Sequence, residues 1–310
     1  MKKITVLGHK NPDTDAVFAA MALAKLFNAT KQYGATAKIA ATPNKETAYA
    51  LKRFKIKAPT KFKPRKGETI FLVDFNEEAQ SPVSFSKIEI EGIVDHHKLN
   101  IKIDKEYPTI FRIEPLGSSC SIVAKMYQDY GIKINKKIAS ILLSGIISDT
   151  LKFSSPTTTK EDKQIASELA KIANIKIDEL ATKMFEAKSS LDKLSPKKII
   201  VTDYKEYDFK KHKTGIGVLE TINPASAFKK EREIRRALSE YKKKHKLDFI
   251  FFGIVDILEH STSFLLMGQQ EEELAAKAFG RRKIKDGVIN LPGVTSRKKQ
   301  IVPALMKVLK

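Results

Sequence analysis

Eight histidine and aspartate side chains, each placed where an apolar run ends, give this chain its most specific chemistry. Gly8-His9-Lys10-Asn11-Pro12-Asp13-Thr14-Asp15 follows the apolar run Ile4 to Leu7, and Asp95-His96-His97 follows Ile93-Val94. Phe71-Leu72-Val73 ends in Asp74, and the run from Leu142 to Ser148 ends in Asp149. Such groups are costly to hold beside a core without partners. Taken singly, each is ordinary: a strand-end Asp is commonly a helix cap, and a lone His is commonly just hydrogen-bonded. Taken together, they offer enough nitrogen and oxygen for two divalent ions. Paired ions in phosphoryl-transfer enzymes sit roughly 3.5–4 Å apart and clamp the attacking and leaving oxygens. A bridging carboxylate, here Asp74 or Asp149, would keep two cations that close. The imidazoles argue against a pure Mg²⁺ site, whereas His plus carboxylate suits Mn²⁺, Co²⁺ or Zn²⁺.

The elements that must position these groups follow from the apolar pattern. Residues 1–188 alternate apolar runs with helical stretches, which predicts an α/β domain with a parallel sheet. Expected strands cover 3–8, 36–41, 69–74 and 90–94, with a short one near 109–113. Expected helices cover 14–28, 44–53, 117–130, 135–148, 160–172 and 177–187. Asp13-Thr14-Asp15 supplies capping residues for the first helix, so His9, Asp13 and Asp15 fall on a strand-to-helix loop. Sites in open α/β sheets form outside the carboxyl ends of the strands, so ligands far apart in sequence converge. Asp149 joins them from the end of a helix. The polar stretch from Ser189 to Pro196 reads as a linker. Residues 197–310 read as a smaller α/β domain with a mixed sheet. Its strand-like runs are 197–202, 215–221, 248–256 and 262–268, with helices at 229–245 and 271–280.

Composition bounds the partners. At 310 residues the chain is long enough for two cores, and 42% apolar with 30% charged residues describes a globular protein. No apolar run approaches the roughly 18–20 residues that span a bilayer. Ile4 to Leu7 is too short for a signal-peptide core, and the single Cys120 excludes an internal disulfide, so a cytoplasmic protein without a membrane partner is expected. Cys120 itself reads as a small buried residue at a helix start. The net charge of +21 invites a nucleic-acid reading, yet 48 of the 57 basic residues are Lys and 9 are Arg. Backbone and base readout favours Arg forks, and few aromatics are interleaved for stacking. No nucleic-acid partner is expected; the lysine-rich stretches 52–66 and 242–246 read as solvated surface.

The combined motifs resemble the DHH phosphoesterase superfamily, through His9-Asp13-Asp15, Asp74 after a strand, and Asp95-His96-His97. The carboxyl-terminal Ser296-Arg297-Lys298-Lys299-Gln300 narrows the likeness to the family II, manganese-dependent inorganic pyrophosphatases. Glu114-Pro115-Leu116-Gly117-Ser118-Ser119, Ser144 to Leu151, Ser155-Pro156-Thr157 and the Lys205-Glu206 pair match as well. The likeness covers essentially the full length and leaves no room for a regulatory nucleotide-binding insert. It implies a first metal on His9, Asp13 and Asp74, and a second on Asp15, Asp74, His96 and Asp149, with Asp74 bridging. It places Asp95 behind an imidazole, His97 at the substrate, and Lys205, Arg297 and Lys298 on the phosphates. With metals on one domain and phosphate-binding cations on the other, an active site in the cleft between the domains is expected, with flexing at about 189–196, where the apolar pattern lapses, to close over substrate. The implied reaction is hydrolysis of pyrophosphate by a metal-activated bridging water. The implied cofactors are two Mn²⁺ per subunit, with Co²⁺ as a substitute and Mg²⁺ arriving with the substrate, in a homodimer. Lys299, Arg281 and Arg282 read as solvated charge beside that surface. His212, His245 and His260 match no motif. The competing readings are a DHH phosphoesterase acting on short oligonucleotides or 3′-phosphoadenosine phosphate, and a basic nucleic-acid-binding protein that kept the fold. The first would need a nucleoside pocket with stacking aromatics; the second would not need an intact ligand at every metal position.

Overall fold

The computed structural model describes residues 1–101, 110–189, 191, 194–210, 212–280 and 283–309. The chain divides into two units, Met1–Lys188 and Ser189–Lys310, and each is built on a six-stranded sheet. The first unit runs β1 (Lys3–Leu7), α1 (Thr14–Ala29), β2 (Gly34–Ile39), α2 (Lys45–Arg53), β3 (Thr60–Lys61), β4 (Glu68–Val73), β5 (Ile88–Asp95) and β6 (Ile110–Ile113). Helices α3 (Ser119–Asp129), α4 (Lys136–Asp149), α5 (Lys160–Ala173) and α6 (Ile177–Lys188) complete it. Its strands lie in the order β3-β2-β1-β4-β5-β6, and every neighbouring pair is parallel.

The central strands are apolar along their length because both faces are covered. Val6 and Leu7 of β1 and Ile70, Phe71, Leu72 and Val73 of β4 are all buried, each such side chain stabilising the fold by about 1.5–3 kcal/mol. Strand order reverses direction between β1 and β4, which makes their carboxyl ends the switch point where sites form in open sheets. Helix α1 starts hard against that edge: a Cβ on Gly8 would lie 2.8 Å from the Cβ of Ala16. The four-residue strand β6 closes one edge of the sheet and the two-residue strand β3 the other.

The second unit runs α7 (Pro196–Ile200), β7 (Asp203–Phe209), β8 (His212–Thr221), α8 (Pro224–Phe228), α9 (Glu231–Lys244), β9 (Phe249–Asp256) and β10 (Ser261–Leu265), then α10 (Gln269–Phe279), β11 (Ile284–Lys285), β12 (Val288–Pro292) and α11 (Val302–Val308). Its sheet order is β11-β12-β10-β9-β8-β7, parallel only between β8 and β9 and antiparallel elsewhere. Alternate residues of β9 feed two cores, Phe251 and Val255 on one face, Ile250, Phe252 and Ile254 on the other.

Several expectations change here. The run 197–202, expected as a strand, is the short helix α7. The Ser195 side chain accepts from the Lys198 N–H and Pro196 occupies the first turn, so capping overrides the β-branched Ile199-Ile200 pair, which is buried. Strand β7 follows it. The expected helix at 229–245 is preceded by α8 and begins at Glu231. Of the expected linker, residues 190, 192 and 193 lie outside the described residues, as do Arg281, Arg282 and position 109 of the expected short strand. Among the described residues no helix is long and apolar enough to cross a membrane.

Candidate metal centre

Asp13 caps α1, its Oδ1 accepting from the Ala16 N–H at 3.0 Å. That leaves Oδ2, which lies 3.4 Å from His9 Nε2. Asp74 leaves β4 with φ +67°, a left-handed conformation that Asp tolerates better than most residues. Its N–H still donates to the Val94 carbonyl at 2.9 Å. Sheet pairing and turn together aim the carboxylate along the strand ends. Asp74 Oδ2 sits 3.6 Å from His9 Nε2, and Asp74 Oδ1 sits 3.4 Å from His96 Nε2. His96 Nε2 is also 3.2 Å from Asp149 Oδ2, delivered by the end of α4. Three groups of donor atoms result, each within 4.8 Å: His9, Asp13 and Asp74; Asp15, Asp74, His96 and Asp149; and Asp74, His96 and His97, which overlaps the second. Asp74 is common to all, with Oδ2 facing His9 and Oδ1 facing His96.

The donor set fits divalent ions. Two atoms about 2.1 Å from one ion and at right angles to each other lie about 3.0 Å apart, close to these separations. His96 Nδ1 is 3.0 Å from the Leu116 carbonyl, which holds a proton on Nδ1 and would leave Nε2 free to donate its lone pair to an ion when the ring is neutral. That buried Nε2 makes no well-aligned hydrogen bond among the described residues, although the Asp149 and Asp74 carboxylates face it. Asp15 is fully buried against the start of α3. Its Oδ1 accepts from Ser118 Oγ at 2.6 Å and Cys120 N at 3.0 Å, and its Oδ2 from Ser119 N at 2.6 Å. Ser119 Oγ donates to Asp74 Oδ1 at 2.8 Å. Gly145 lets α4 come this close, since a Cβ there would meet Cys120 Sγ at 2.3 Å.

Asp95 holds His97 rather than His96. Its Oδ1 accepts from the N–H groups of His96 and His97 and lies 2.8 Å from His97 Nδ1, while Asn76 donates to its Oδ2 at 2.6 Å. His97 is half-exposed, and Asp95 raises its pKa.

The charges need cations. Burial pushes the Asp149 carboxyl up to about 6, and burial with the nearby charges of Asp74 and Asp149 pushes Asp15 well above its usual range. Burial opposes protonation of His9 and His96, but Asp13 and Asp74 outweigh it to bring His9 to about 10, and Asp149 and Asp74 bring His96 to about 12. Asp74 is driven low despite burial by His9 and His96. Four carboxylates here, at Asp13, Asp15, Asp74 and Asp149, match the charge of two divalent cations, and protons on the imidazoles take up part of that demand without them.

The second unit gathers the remaining candidates. Lys205 stands exposed on the edge strand β7, on the same face as Asp203 and Tyr207. Arg297 donates from Nη1 to Tyr207 Oη at 2.7 Å and from Nη2 to Asp203 Oδ1 at 2.6 Å. Arg297 and Lys298 line a cavity of about 430 Å³ together with Ser296, Glu220 and His260. Sequence reasoning missed Ser119, Asn76, Asp203 and Tyr207. Ser119 and Asn76 carried a signal, as polar residues within a quoted motif or two places after Asp74. Asp203 and Tyr207 carried none without knowing that 203–209 is a strand.

The family model described as the DHH family, N-terminal domain, matches residues 3–146, and that described as the DHHA2 domain matches residues 182–308. The chain is 37% identical over 308 residues to a Lactobacillus helveticus protein named probable manganese-dependent inorganic pyrophosphatase, covering 98% of each chain. It is 37% identical over 309 residues to the manganese-dependent inorganic pyrophosphatase of Methanocaldococcus jannaschii, covering 97% of each. A crystal structure of a candidate family II inorganic pyrophosphatase from Methanococcus jannaschii superposes with a TM-score of 0.62 at 35% identity, covering 100% of this chain and 99% of that one.

Proposed function

The chain belongs to the manganese-dependent inorganic pyrophosphatases of the DHH family, and on that premise we propose that it hydrolyses inorganic pyrophosphate to two orthophosphates at a dinuclear manganese centre. The observation that supports this most is Asp74, with one carboxylate oxygen turned to each group of donors. His9, Asp13 and Asp74 would hold one ion, and Asp15, Asp74, His96 and Asp149 the other. Bound manganese would polarise the phosphate oxygens and supply a water acidic enough to attack near neutral pH. His97, held through Nδ1 by Asp95, keeps Nε2 to contact or protonate the leaving phosphate. Lys205, Arg297 and Lys298 would neutralise the phosphate charge, Arg297 being preset by Asp203 and Tyr207. Co²⁺ should replace Mn²⁺, and Mg²⁺ should enter with the substrate. Ile110 and Phe111 are exposed on the edge strand β6, which supports a homodimer formed there. The single buried thiol of Cys120 suits the cytoplasm.

The test is phosphate release from pyrophosphate, a short RNA and 3′-phosphoadenosine phosphate after loading with Mn²⁺, beside a chelated sample given Mg²⁺ alone. Turnover should be specific to pyrophosphate and stronger with Mn²⁺. Preferential turnover of either nucleotide would overturn the reading, and full activity with Mg²⁺ alone would overturn its metal assignment.

A further inference from the structure

Away from the proposed ligands, a completely buried carboxyl group on α2 touches two of the elements that carry them. Glu46, on α2, has no exposed surface. Its Oε2 accepts from Ser148 Oγ at 2.8 Å and from Thr14 Oγ1 at 3.2 Å, and lies 3.3 Å from Lys188 Nζ. Its Oε1 is buried and, among the described residues, has no hydrogen-bond partner. Thr14 stands between Asp13 and Asp15, and Ser148 directly precedes Asp149. Thr14 is held further by Thr47, its hydroxyl 3.0 Å from Thr47 Oγ1.

We propose that Glu46 is a positioning residue for the metal centre, a single oxygen that fixes the first turn of α1 against the last turn of α4 and so sets Asp149 relative to Asp13 and Asp15. Stability alone does not account for it. A buried carboxylate with one oxygen unsatisfied is worse for folding than an apolar side chain of similar volume. What the carboxylate supplies, and a leucine could not, is a common acceptor for two hydroxyls on two different ligand-bearing elements. Groups standing behind metal ligands in this way set ligand geometry, and their loss typically weakens metal binding about 10- to 100-fold.

This inference rests on the proposal that the site holds Mn²⁺, and the experiment separates the two. Mn²⁺ binding to metal-free protein is titrated by calorimetry and by loss of the free-ion paramagnetic resonance signal, for the wild type, Glu46→Gln, Glu46→Leu and Ser148→Ala. Thermal midpoints of the metal-free proteins are recorded alongside. Glu46→Gln and Glu46→Leu should weaken binding about 10- to 100-fold while moving the metal-free midpoint by no more than about 2–4 °C. Ser148→Ala should weaken binding in the same direction, and combined with Glu46→Leu it should add nothing further. Wild-type affinity in folded Glu46 variants, with only a lowered midpoint, would overturn the positioning role. Should the Glu46 variants fail to fold, unchanged affinity in Ser148→Ala would overturn it instead. A wild type that binds no Mn²⁺ would overturn the functional reading itself.

Discussion

A carboxylate shared by two groups of donors differs in consequence from one that serves a single group. Of the two imidazoles Asp13 faces His9 alone, whereas Asp74 faces His9 through one oxygen and His96 through the other. Asp13→Asn should therefore leave close to one manganese per chain after desalting, and Asp74→Asn close to none, as read by elemental analysis. Equal losses in the two variants would show that Asp74 is not shared. The convergence of His9, Asp13, Asp15, Asp74, His96 and Asp149 could be read from the sequence, because each lies at or just beyond the end of an apolar run, or on the loop that follows one, and the switch point of a parallel sheet collects such ends. Ser119 was legible only as part of the motif from Glu114 to Ser119; that its hydroxyl donates to Asp74 depends on a distance between residues 45 apart in the chain, which the motif does not report.

Among the elements, the loop between β6 and α3 carries much of the order behind the centre. It presents Leu116 to His96 and Ser118 to Asp15, and it is held from below by Asp162, which accepts from the Gly117 N–H at 2.8 Å while capping α5. At its entrance Glu114 joins Arg112 of β6 to Lys125 of α3, and Lys125 also meets Glu161 of α5. Burial raises the Glu114 pKa, but the hydrogen bonds from Lys125 and Arg112 outweigh it and hold the carboxyl below its ordinary range. A depressed pKa contributes stability above the unfolded value of about 4.3 and loses it as pH falls through the folded value. Glu114→Gln should thus cost about 1 kcal/mol at pH 7, allowing for solvent screening. The difference should vanish once the carboxyl is protonated in both states, which urea unfolding from pH 7 downward would show. At this scale local sequence decides less. Long amphipathic helices such as α5 announce themselves, whereas α7 and β7 are decided by a cap at Ser195 and by pairing with β8 across many residues.

At the scale of the whole molecule, the two edges of the first sheet are unequal. Strand β3 offers two exposed residues, one of them a lysine, and such short, charged edges resist pairing. Strand β6 offers exposed Ile110 and Phe111 instead. Phe111→Glu should halve the mass seen by light scattering while leaving manganese content unchanged; a wild type that is already monomeric would remove this edge as an interface. The gathering of donors from β1, α1, β4, β5 and α4 has a different consequence. Separated along the chain from residue 9 to residue 149, they lie together only when all five of those elements are in place. A bound ion is in that sense a census of intact molecules: it counts chains whose first unit is complete, and it lends its binding free energy to those chains alone.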